Sequence, residues 1–527
     1  MDSRVRDLIR MGDALFARRA QLVSLWQEIA ENFFPERADF TVRRSPGSAS
    51  SGHLFASYPA LARRELGNLF AAMLRPRGSR WFALHVSNEV VDGAADVRRY
   101  LEYLSDIQRR AMYDPLAQFA RATREADHDF AAFGQAVIEA DLNARGTALI
   151  HRCHHLRDCA WSENADGVVD ALHRNWSPTA RQLMDLWPDR VSAEVRRAFS
   201  SDPETTFRCR RIVVPARLWG NAHDGFAFVS IYVELDSGTV LEEVPLNWFP
   251  YVVPRWQTVS DSQYARSPAT ELVLPDARTL QVVVRTLREA GEKFVDPPMI
   301  AVQEALRSDV ALYAGGLTWA DVAYDERLGE VLRPLTQDRG GMPIGFEIAQ
   351  ALQQDVRHGF FLDKIQMPEI DVGRMTAYEV RRRIEEHIRA AAPLFEPIEH
   401  EYNAPLCMLD FRILRAHGAF GPPEGMPERL RDEALTFSFT SRLSDAADEG
   451  RAAAFAEGLA SVVGPAAELD PAQTANVDAT AATRDALRAL GWPASWLADE
   501  TAVEERRAAL AALVVGAADE AVGGGAP

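Results

Sequence analysis

Four cysteines in 527 residues are too few for a disulfide framework, so packing and hydrogen bonds must hold this chain together. No apolar run approaches the roughly 18 residues of a membrane-crossing helix, and Met1-Asp2-Ser3-Arg4 lacks signal-peptide character. The expectation is a soluble chain with no membrane partner that stays in the compartment where it is made. The residues of common catalytic motifs are missing as well. There is no Gly-x-x-x-x-Gly-Lys-[Ser/Thr], and the nearest text, Gly291-Glu292-Lys293, lacks the loop that would cradle phosphates. Neither a Gly-x-Ser-x-Gly elbow nor a His-Glu-x-x-His pair occurs. Glu242-Glu243 and Glu385-Glu386 are adjacent in sequence, so on a strand or helix they point apart and cannot share a substrate. The chain reads as a protein without catalytic residues or cofactor.

One cluster deserves weighing as a metal site: His151-Arg152-Cys153-His154-His155 with Cys159. Cys-x5-Cys is not a usual zinc spacing and no second cysteine pair lies near it in sequence. A strand alternating exposed His with buried Cys explains the text without metal, and no metal is expected. Cys209 and Cys407 sit in apolar patterns and read as core.

The chain is 47% hydrophobic and too long for a single core, which suggests two to four domains. Residues 2 to 34 carry a helical period through Val5, Leu8, Leu15, Leu22, Trp26, Ile29 and Phe33, ended by Pro35. Further helices are expected over Ala60 to Leu74 and about Ala94 to Tyr113. Asp127-x-x-Phe130-x-x-Phe133-Gly134-x-Ala136-x-Ile138 leads into strands, and Trp161 to Asp170 reads as a hairpin around Gly167. Phe207 to Val214, Phe226 to Glu234 and Val240 to Val253 read as a small antiparallel sheet. Amphipathic helices at Asp276 to Phe294 and Ile344 to Phe361 flank a segment punctuated by Pro297-Pro298 and Gly340-Gly341-x-Pro343. A short strand, Leu435 to Thr440, is expected to return to the sheet. Residues 446 to 516 are alanine-rich and helical with breaks, and Val522 to Pro527 is expected to be disordered.

The stretch from Arg374 to Gly418 organises the rest. Thr376 with Glu379 three residues later is a capping box, and an apolar stripe from Val380 to Ile413 then runs through roughly ten turns. Pro393, Pro397 and Pro405 interrupt it, so bent segments are expected rather than one rod, with Gly418 as the stop. Before the cap, Pro368 and Gly373 break helix on either side of Ile370-Asp371, which makes Gln366 to Met375 a loop.

Arg374-Met375-Thr376-Ala377-Tyr378-Glu379-Val380, then Glu401-x-x-x-Pro405-Leu406 and Phe411-x-Ile413-Leu414-x-x-x-Gly418, resembles the portal (head-to-tail connector) proteins of short-tailed, T7-like bacteriophages. Other blocks follow in family order: Trp26 to Phe40, Pro76 with Trp81-Phe82, Arg174 to Leu183, Tyr264-x-Arg266-Ser267-Pro268, Asn476-Val477-Asp478 and Leu490-Gly491-x-Pro493. The resemblance implies an α+β, mainly helical portal fold. Its parts would be a wing over 1–275, stem helices at 276–295 and 344–362, and a clip at 296–343. Residues 363–445 would hold the channel loop, long bent helix and return strand, and 446–527 a helical crown.

It further implies a homo-oligomeric ring of about twelve copies at one capsid vertex of the virion, assembled in the host cytoplasm. Double-stranded DNA would pass through the ring during packaging and ejection. The implied partners are the major capsid and scaffolding proteins, the terminase large subunit and the head–tail adaptor or tail proteins. The channel loop would be Pro368, Glu369, Ile370, Asp371, Val372, Gly373 and Arg374, with Lys364 and Arg374 as nearby cations. Arg381 to Arg383 fit a solvated or inter-subunit face better than DNA contact. The net charge of −18 argues against gripping DNA and does not exclude a wall along which DNA slides, since strong Lys or Arg contacts would act as brakes; on charge alone, the ordinary acidity of soluble bacterial proteins is the better account. The alternatives are another structural virion protein, such as an adaptor or internal core protein, and a DNA-packaging enzyme, which the missing nucleotide loop disfavours.

Overall fold

In a computed structural model the described residues are 3–301, 332–334, 341–365, 396–439 and 452–510, with Leu306 and Trp319. Short gaps within these spans lie at parts of 44–53, 79, 89–90, 93, 221–224, 261, 423–424, 432, parts of 471–475, 493–495, 499–501 and 504. The chain divides into two compact units, one of residues 1–24, 65–268 and 364–527, the other of 25–64 and 269–363.

The first unit is built on a five-stranded antiparallel sheet whose neighbours follow chain order: Cys159–Glu163, Val169–Trp176, Cys209–Pro215, Phe228–Glu234 and Val240–Leu246. The first two strands form the hairpin expected around Gly167, which takes a positive φ of 73° in the turn. Strand Cys209–Pro215 is buried along its whole length, so both faces of the sheet are covered. Helix Ser3–Arg18 covers one face, setting Val5 and Leu8 among Ile212, Val214, Val229 and Ile231. Helices Ala180–Leu186 and Ala193–Ser201 bury Leu183 and Val195 against Cys209 and Leu241. Thr179 starts the first of these with a capping box completed by Gln182.

The run Val240 to Val253 is two strands in two sheets. Val240–Leu246 ends the five-stranded sheet, whereas Tyr251–Val252 joins a three-stranded sheet with Val137–Leu142 and Leu149–His154. The strand Leu435–Phe439 also departs from expectation: it pairs with Phe82–Val86 in a separate two-stranded sheet. Aromatic packing accounts for that choice, because Phe437 meets Phe82 and Phe411, and Phe439 stacks on Trp81. The alternation proposed for the His/Cys cluster is reversed. His151 is buried and Cys153 only half-buried, because His151 points at a buried carboxylate, Asp410. Cys159, Cys209 and Cys407 are core residues.

In the second unit the expected helix Asp276 to Phe294 begins eight residues earlier, as Pro268–Val295. Pro268 suits a first turn, and the buried stripe Ala269, Val273, Ala277 and Leu280 runs on past Pro275. Helix Gly341–Gly359 packs along it with Ala349 and Leu352 against Leu280, Val283 and Leu287. Two glycines allow this approach: a Cβ on Gly345 would lie 2.8 Å from Leu287 Cδ2, and one on Gly359 2.0 Å from Val273 Cγ2. The Trp26-to-Phe40 block folds on itself. Gln27 Oε1 accepts from the amides of Phe40 (2.8 Å) and Thr41 (3.2 Å), its Nε2 donates to Ala38 O (3.2 Å), and Trp26 packs on Phe40. A second glutamine latch closes the loop before Tyr58: Gln281 Oε1 accepts from Phe55 N and Ala56 N, and Nε2 donates to Ala56 O, each at 2.8 Å.

Helix Ser3–Arg18 is seated in the first unit through a glycine and a buried histidine. A Cβ on Gly12 would lie 2.5 Å from Arg210 Nη1 and 2.6 Å from His173 Nδ1. Arg210 spends its donors on Asn175 Oδ1, Ile9 O and Asp13 Oδ1, so it cannot yield without losing them. Burial, and then the charge of Arg210, push the His173 pKa down to about 3. An unfolded histidine titrates near pH ~6.5, so between those values the unfolded chain binds the extra proton and folding weakens as pH falls. The expected loss is on the order of 3 kcal/mol by pH 4. Denaturant melts of His173→Gln against the parent between pH 7 and 4 should show a shallower acid loss in the variant; parallel curves would contradict this. Gly12→Leu should destabilise at every pH by about 1–3 kcal/mol, as overpacking does.

Candidate functional site

Pro368, Glu369, Ile370, Asp371, Val372, Gly373 and Arg374, and the cap residues Thr376 and Glu379, lie outside the described residues, as do Arg381 to Arg383. Lys364 falls in the short helix Leu362–Ile365 and is exposed. The structure describes the other end of the same stretch, where residues 396–416 are helical and fixed within the first unit. That anchor is the candidate site.

Pro405 dictates the local geometry. A proline lacks the amide that would bond to the carbonyl four residues back, and its ring strikes that carbonyl in a regular α-helix. Here Glu399–Asn403 forms a π turn, with Ala404 N–H reaching back five residues to Glu399 O, and Ala404–Ala416 continues as α-helix with Pro405 in its first turn. The helix ends as expected at Gly418, whose φ is 71°. Gly418 N donates to Arg415 O and Ala419 N to Leu414 O, both at 3.0–3.2 Å, the bonding of a Schellman stop.

The π turn presents Tyr402 and Asn403 inward, both fully buried. Arg75, just past helix Tyr58–Leu74, reaches them: Nη1 donates to Asn403 Oδ1 at 2.7 Å, and its guanidinium lies 4.6 Å from the Tyr402 ring centroid. Its Nη2 donates to Asp127 Oδ1 of helix Phe119–Phe133, forming an ion pair shielded from water. Burial opposes the guanidinium charge, but Asp127 and Tyr402 outweigh it and the Arg75 pKa is raised. The Tyr402 hydroxyl donates to Thr123 O at 3.3 Å.

One turn farther on, Gln108 Nε2 donates to Cys407 O at 2.8 Å. Asp410 then takes His151 Nε2 at 2.9 Å, and His151 Nδ1 lies 3.0 Å from Ala117 O. With an acceptor at each ring nitrogen, the doubly protonated imidazolium satisfies both. Burial disfavours it, yet Asp410 and the Ala117 carbonyl prevail and the His151 pKa is raised. On the half-exposed side Glu401 accepts from Arg255 Nε at 3.3 Å, while Arg255 Nη1 bonds Glu163 and Nη2 donates to Gly167 O at 3.1 Å. One arginine thus joins the helix to the Glu163–Gly167 hairpin.

The shell around the anchor comes from text far apart in sequence. Phe130 stacks on Trp256 (5.3 Å, 15°) and Phe70 meets both rings edge-on. Gly134, with φ of 71°, lets residues 266 and 267 pass so close that a Cβ would lie 2.1 Å from the Arg266 carbonyl carbon. Trp256 N donates to Gly134 O (2.8 Å), Ser267 Oγ to Ala131 O (2.8 Å) and Ala265 N to Gln135 Oε1 (3.0 Å). Behind this shell Glu139 receives Arg211 and lies 2.6 Å from His154 Nε2. Burial pushes the Glu139 carboxyl up, but Arg211 and His154 hold it well below its ordinary range.

Sequence reasoning placed Glu401, Leu406 and Gly418 in this stretch but missed Arg75, Asn403, Asp410 and the partner of His151. The available signal was polar residues, Asn403 and Asp410, interrupting an apolar stripe at positions that turn inward. Among the described residues no group of His, Cys, Asp and Glu is arranged to hold a metal. What the arrangement can do is mechanical: it fixes the helical residues 396–416 within the first unit.

The profile of a family described as "Bacteriophage head to tail connecting protein" matches residues 6–497. The portal protein of Salmonella phage epsilon15 is 26% identical over 279 residues, 50% of this chain and 49% of that protein, so the chain spans about half the length of the curated relative it matches. A chain from the virion of a native gene transfer agent particle aligns at 11% identity with a TM-score of 0.35, covering 82% of this chain and 96% of that one.

Arg75→Met should leave the Asp127 carboxyl unpaired in the core and cost about 3–5 kcal/mol, while Arg75→Met with Asp127→Leu should recover much of that loss. Denaturant unfolding of the four proteins of this cycle tests it; a double variant as weak as the sum of the singles would contradict the pairing. For His151, whose folded pKa is raised, the contribution is complete below about pH 6.5 and is lost as pH rises through the folded value. Asp410→Asn should therefore flatten the alkaline side of the stability profile.

Proposed function

This chain belongs to the bacteriophage head to tail connecting proteins, non-enzymatic structural proteins of the virion at the head-to-tail junction, and we propose that it is the portal of a short-tailed, T7-like phage. In this reading about twelve copies close into a ring. Double-stranded DNA passes through the ring during packaging and ejection. The terminase large subunit docks on it during filling, the major capsid and scaffolding proteins surround it, and adaptor and tail proteins bind it afterwards. Residues 1–275 would be wing, 276–295 and 344–362 stem, 296–343 clip, 363–445 channel loop with bent helix and return strand, and 446–527 crown.

The observation that carries the ring is the apolar exposure of the two paired helices of the second unit. Leu272 (74%), Val282 and Val295 (88%) on Pro268–Val295, and Ile344, Phe346 (55%) and Ile348 on Gly341–Gly359, face solvent in a single copy. Two helices that already bury Leu280 and Ala349 between them leave these large apolar side chains uncovered in a single copy. A neighbouring copy in a closed ring would cover such surface in every copy alike. The net charge of −18 per copy suits a wall that DNA passes without gripping, with screening over about 8–10 Å limiting the effect to surfaces the duplex nearly touches.

Residues 368–374 would narrow the channel and follow the duplex, with Lys364 and Arg374 touching phosphate in passing. The anchor of Tyr402, Asn403 and Asp410 would hold the far end of their helix still. Light scattering and negative-stain images of purified protein should show a ring; a stable monomer at micromolar concentration would sink the reading. Deleting Glu369 to Gly373 should leave assembly and melting near those of the parent while impairing packaging or retention of DNA. Normal filling and retention by the deleted rings would remove the loop from the mechanism.

A further inference from the structure

Strand Phe82–Val86, helix Ala95–Met112 and residues Arg488 to Trp492 at the end of helix Ala479–Ala489 enclose a cleft of about 660 Å³ in the first unit. Nothing in the portal reading uses it. Its charged lining comprises four arginines, Arg80, Arg98, Arg109 and Arg488, against three carboxylates, Asp92, Glu102 and Asp106. The cleft is therefore cationic in a chain whose net charge is −18. Its apolar lining includes Phe82, Leu84, Leu101, Leu490 and Trp492.

The carboxylates are already engaged. Arg80 pairs with Asp106 (2.8 Å) and Glu102 (3.5 Å), and Arg109 shares Asp106 at 3.6 Å. Asp92 accepts from Val86 N and pairs with His85. Arg98 donates its Nε to a backbone carbonyl, Asp92 O, at 2.7 Å. Arg488 holds Asp485 through Nη1. Its Nε, and that of Arg109, are buried donors without an acceptor. Arg98 and Arg488 also repel one another across the cleft: the Arg98 pKa is lowered, first by burial and then by Arg488. Like charges facing each other with donors to spare are relieved by an anion with several acceptors.

We propose that this cleft binds an acidic peptide segment of a partner protein, with carboxylates on Arg98, Arg109 and Arg488 and an apolar side chain against Leu101 and Trp492. A carboxylate offers two oxygens to a guanidinium fork. Arginines beside leucine and tryptophan in one lining suit a peptide that carries both acidic and apolar residues. A duplex suits it less, because its continuous phosphate rows would have to pass Asp92, Glu102 and Asp106.

The test is fluorescence anisotropy on the full-length assembled protein with a fluorescein-labelled nonapeptide alternating Glu and Leu. Its Gln/Leu and Lys/Leu counterparts and a labelled 12-base-pair DNA duplex serve as comparison probes. The acidic peptide should bind at least tenfold more tightly than either counterpart and than the duplex, and should weaken as salt is raised. Arg98→Gln with Arg488→Gln should weaken it at least tenfold, and Trp492→Ala should weaken it without changing the salt dependence. Circular dichroism melts establish that the variants are folded; should the double variant not fold, Arg98→Lys and Trp492→Ala carry the test. Equal binding of the Gln/Leu peptide, preference for the duplex, or unchanged binding by folded variants would overturn the proposal.

Discussion

The first unit depends on one interaction: the ion pair of Arg75 and Asp127, closed over by Tyr402 and Asn403. All four side chains are buried, so water cannot replace a lost partner and a change to one leaves another unpaired. The pair brings three segments to one point: the residues after helix Tyr58–Leu74, helix Phe119–Phe133 and the π turn Glu399–Asn403. Around it the rings of Phe70, Phe130 and Trp256 exclude water. The packing that surrounds the pair is also what makes breaking it costly.

The same economy recurs between the two sheets. Arg174 and Arg211 are direct partners in the register of the central strands, so their side chains share a face of the five-stranded sheet. Arg211 is buried and Arg174 half-buried, and two such like charges side by side call for compensation. Glu139 from the three-stranded sheet supplies the counter-charge, and Tyr232 and Tyr251 lie 5.2 and 5.4 Å from the Arg211 guanidinium. The inter-sheet contact is thus specified by charge as well as by shape, which pins Glu139 and its strand in register.

Much of this was legible from the residue text because it obeys local rules. The Gly167 hairpin, the Gly418 stop and the helical period of the first 34 residues each depend on neighbours within a few positions. The partner of strand Leu435–Phe439 was not legible, since the aromatic contacts that choose Phe82–Val86 lie some 350 residues away in the chain. Helix Pro268–Val295 was misjudged at Pro275 because an apolar stripe carried the helix through a residue that ordinarily ends one. In the His151 cluster, His and Cys crowd together in sequence. Strand geometry separates them, turning His151 to Asp410 and leaving Cys153 half-buried. Text alone could not pair His151 with an aspartate 259 residues later.

The treatment of proline shows why the bent helix can be both interrupted and strong. At Ala404-Pro405 a π turn widens the backbone so that the amide before the proline bonds five residues back. At Gly464-Pro465 the same device appears again, with Leu459–Val463 as the π turn and Gly464 N donating to Leu459 O. Widening the preceding turn moves the carbonyl the ring would otherwise strike, so the helix bends without breaking. The two sites differ in what the turn carries. Leu459–Val463 buries nothing, whereas Glu399–Asn403 uses its extra residue to face Tyr402 and Asn403 inward together. In a regular α-helix of this length, adjacent residues diverge by about 100° and could not both enter one buried pocket so readily. Pro405 therefore creates the bend, and the bend creates the anchor. The helix thus gains its attachment from the residue that interrupts it.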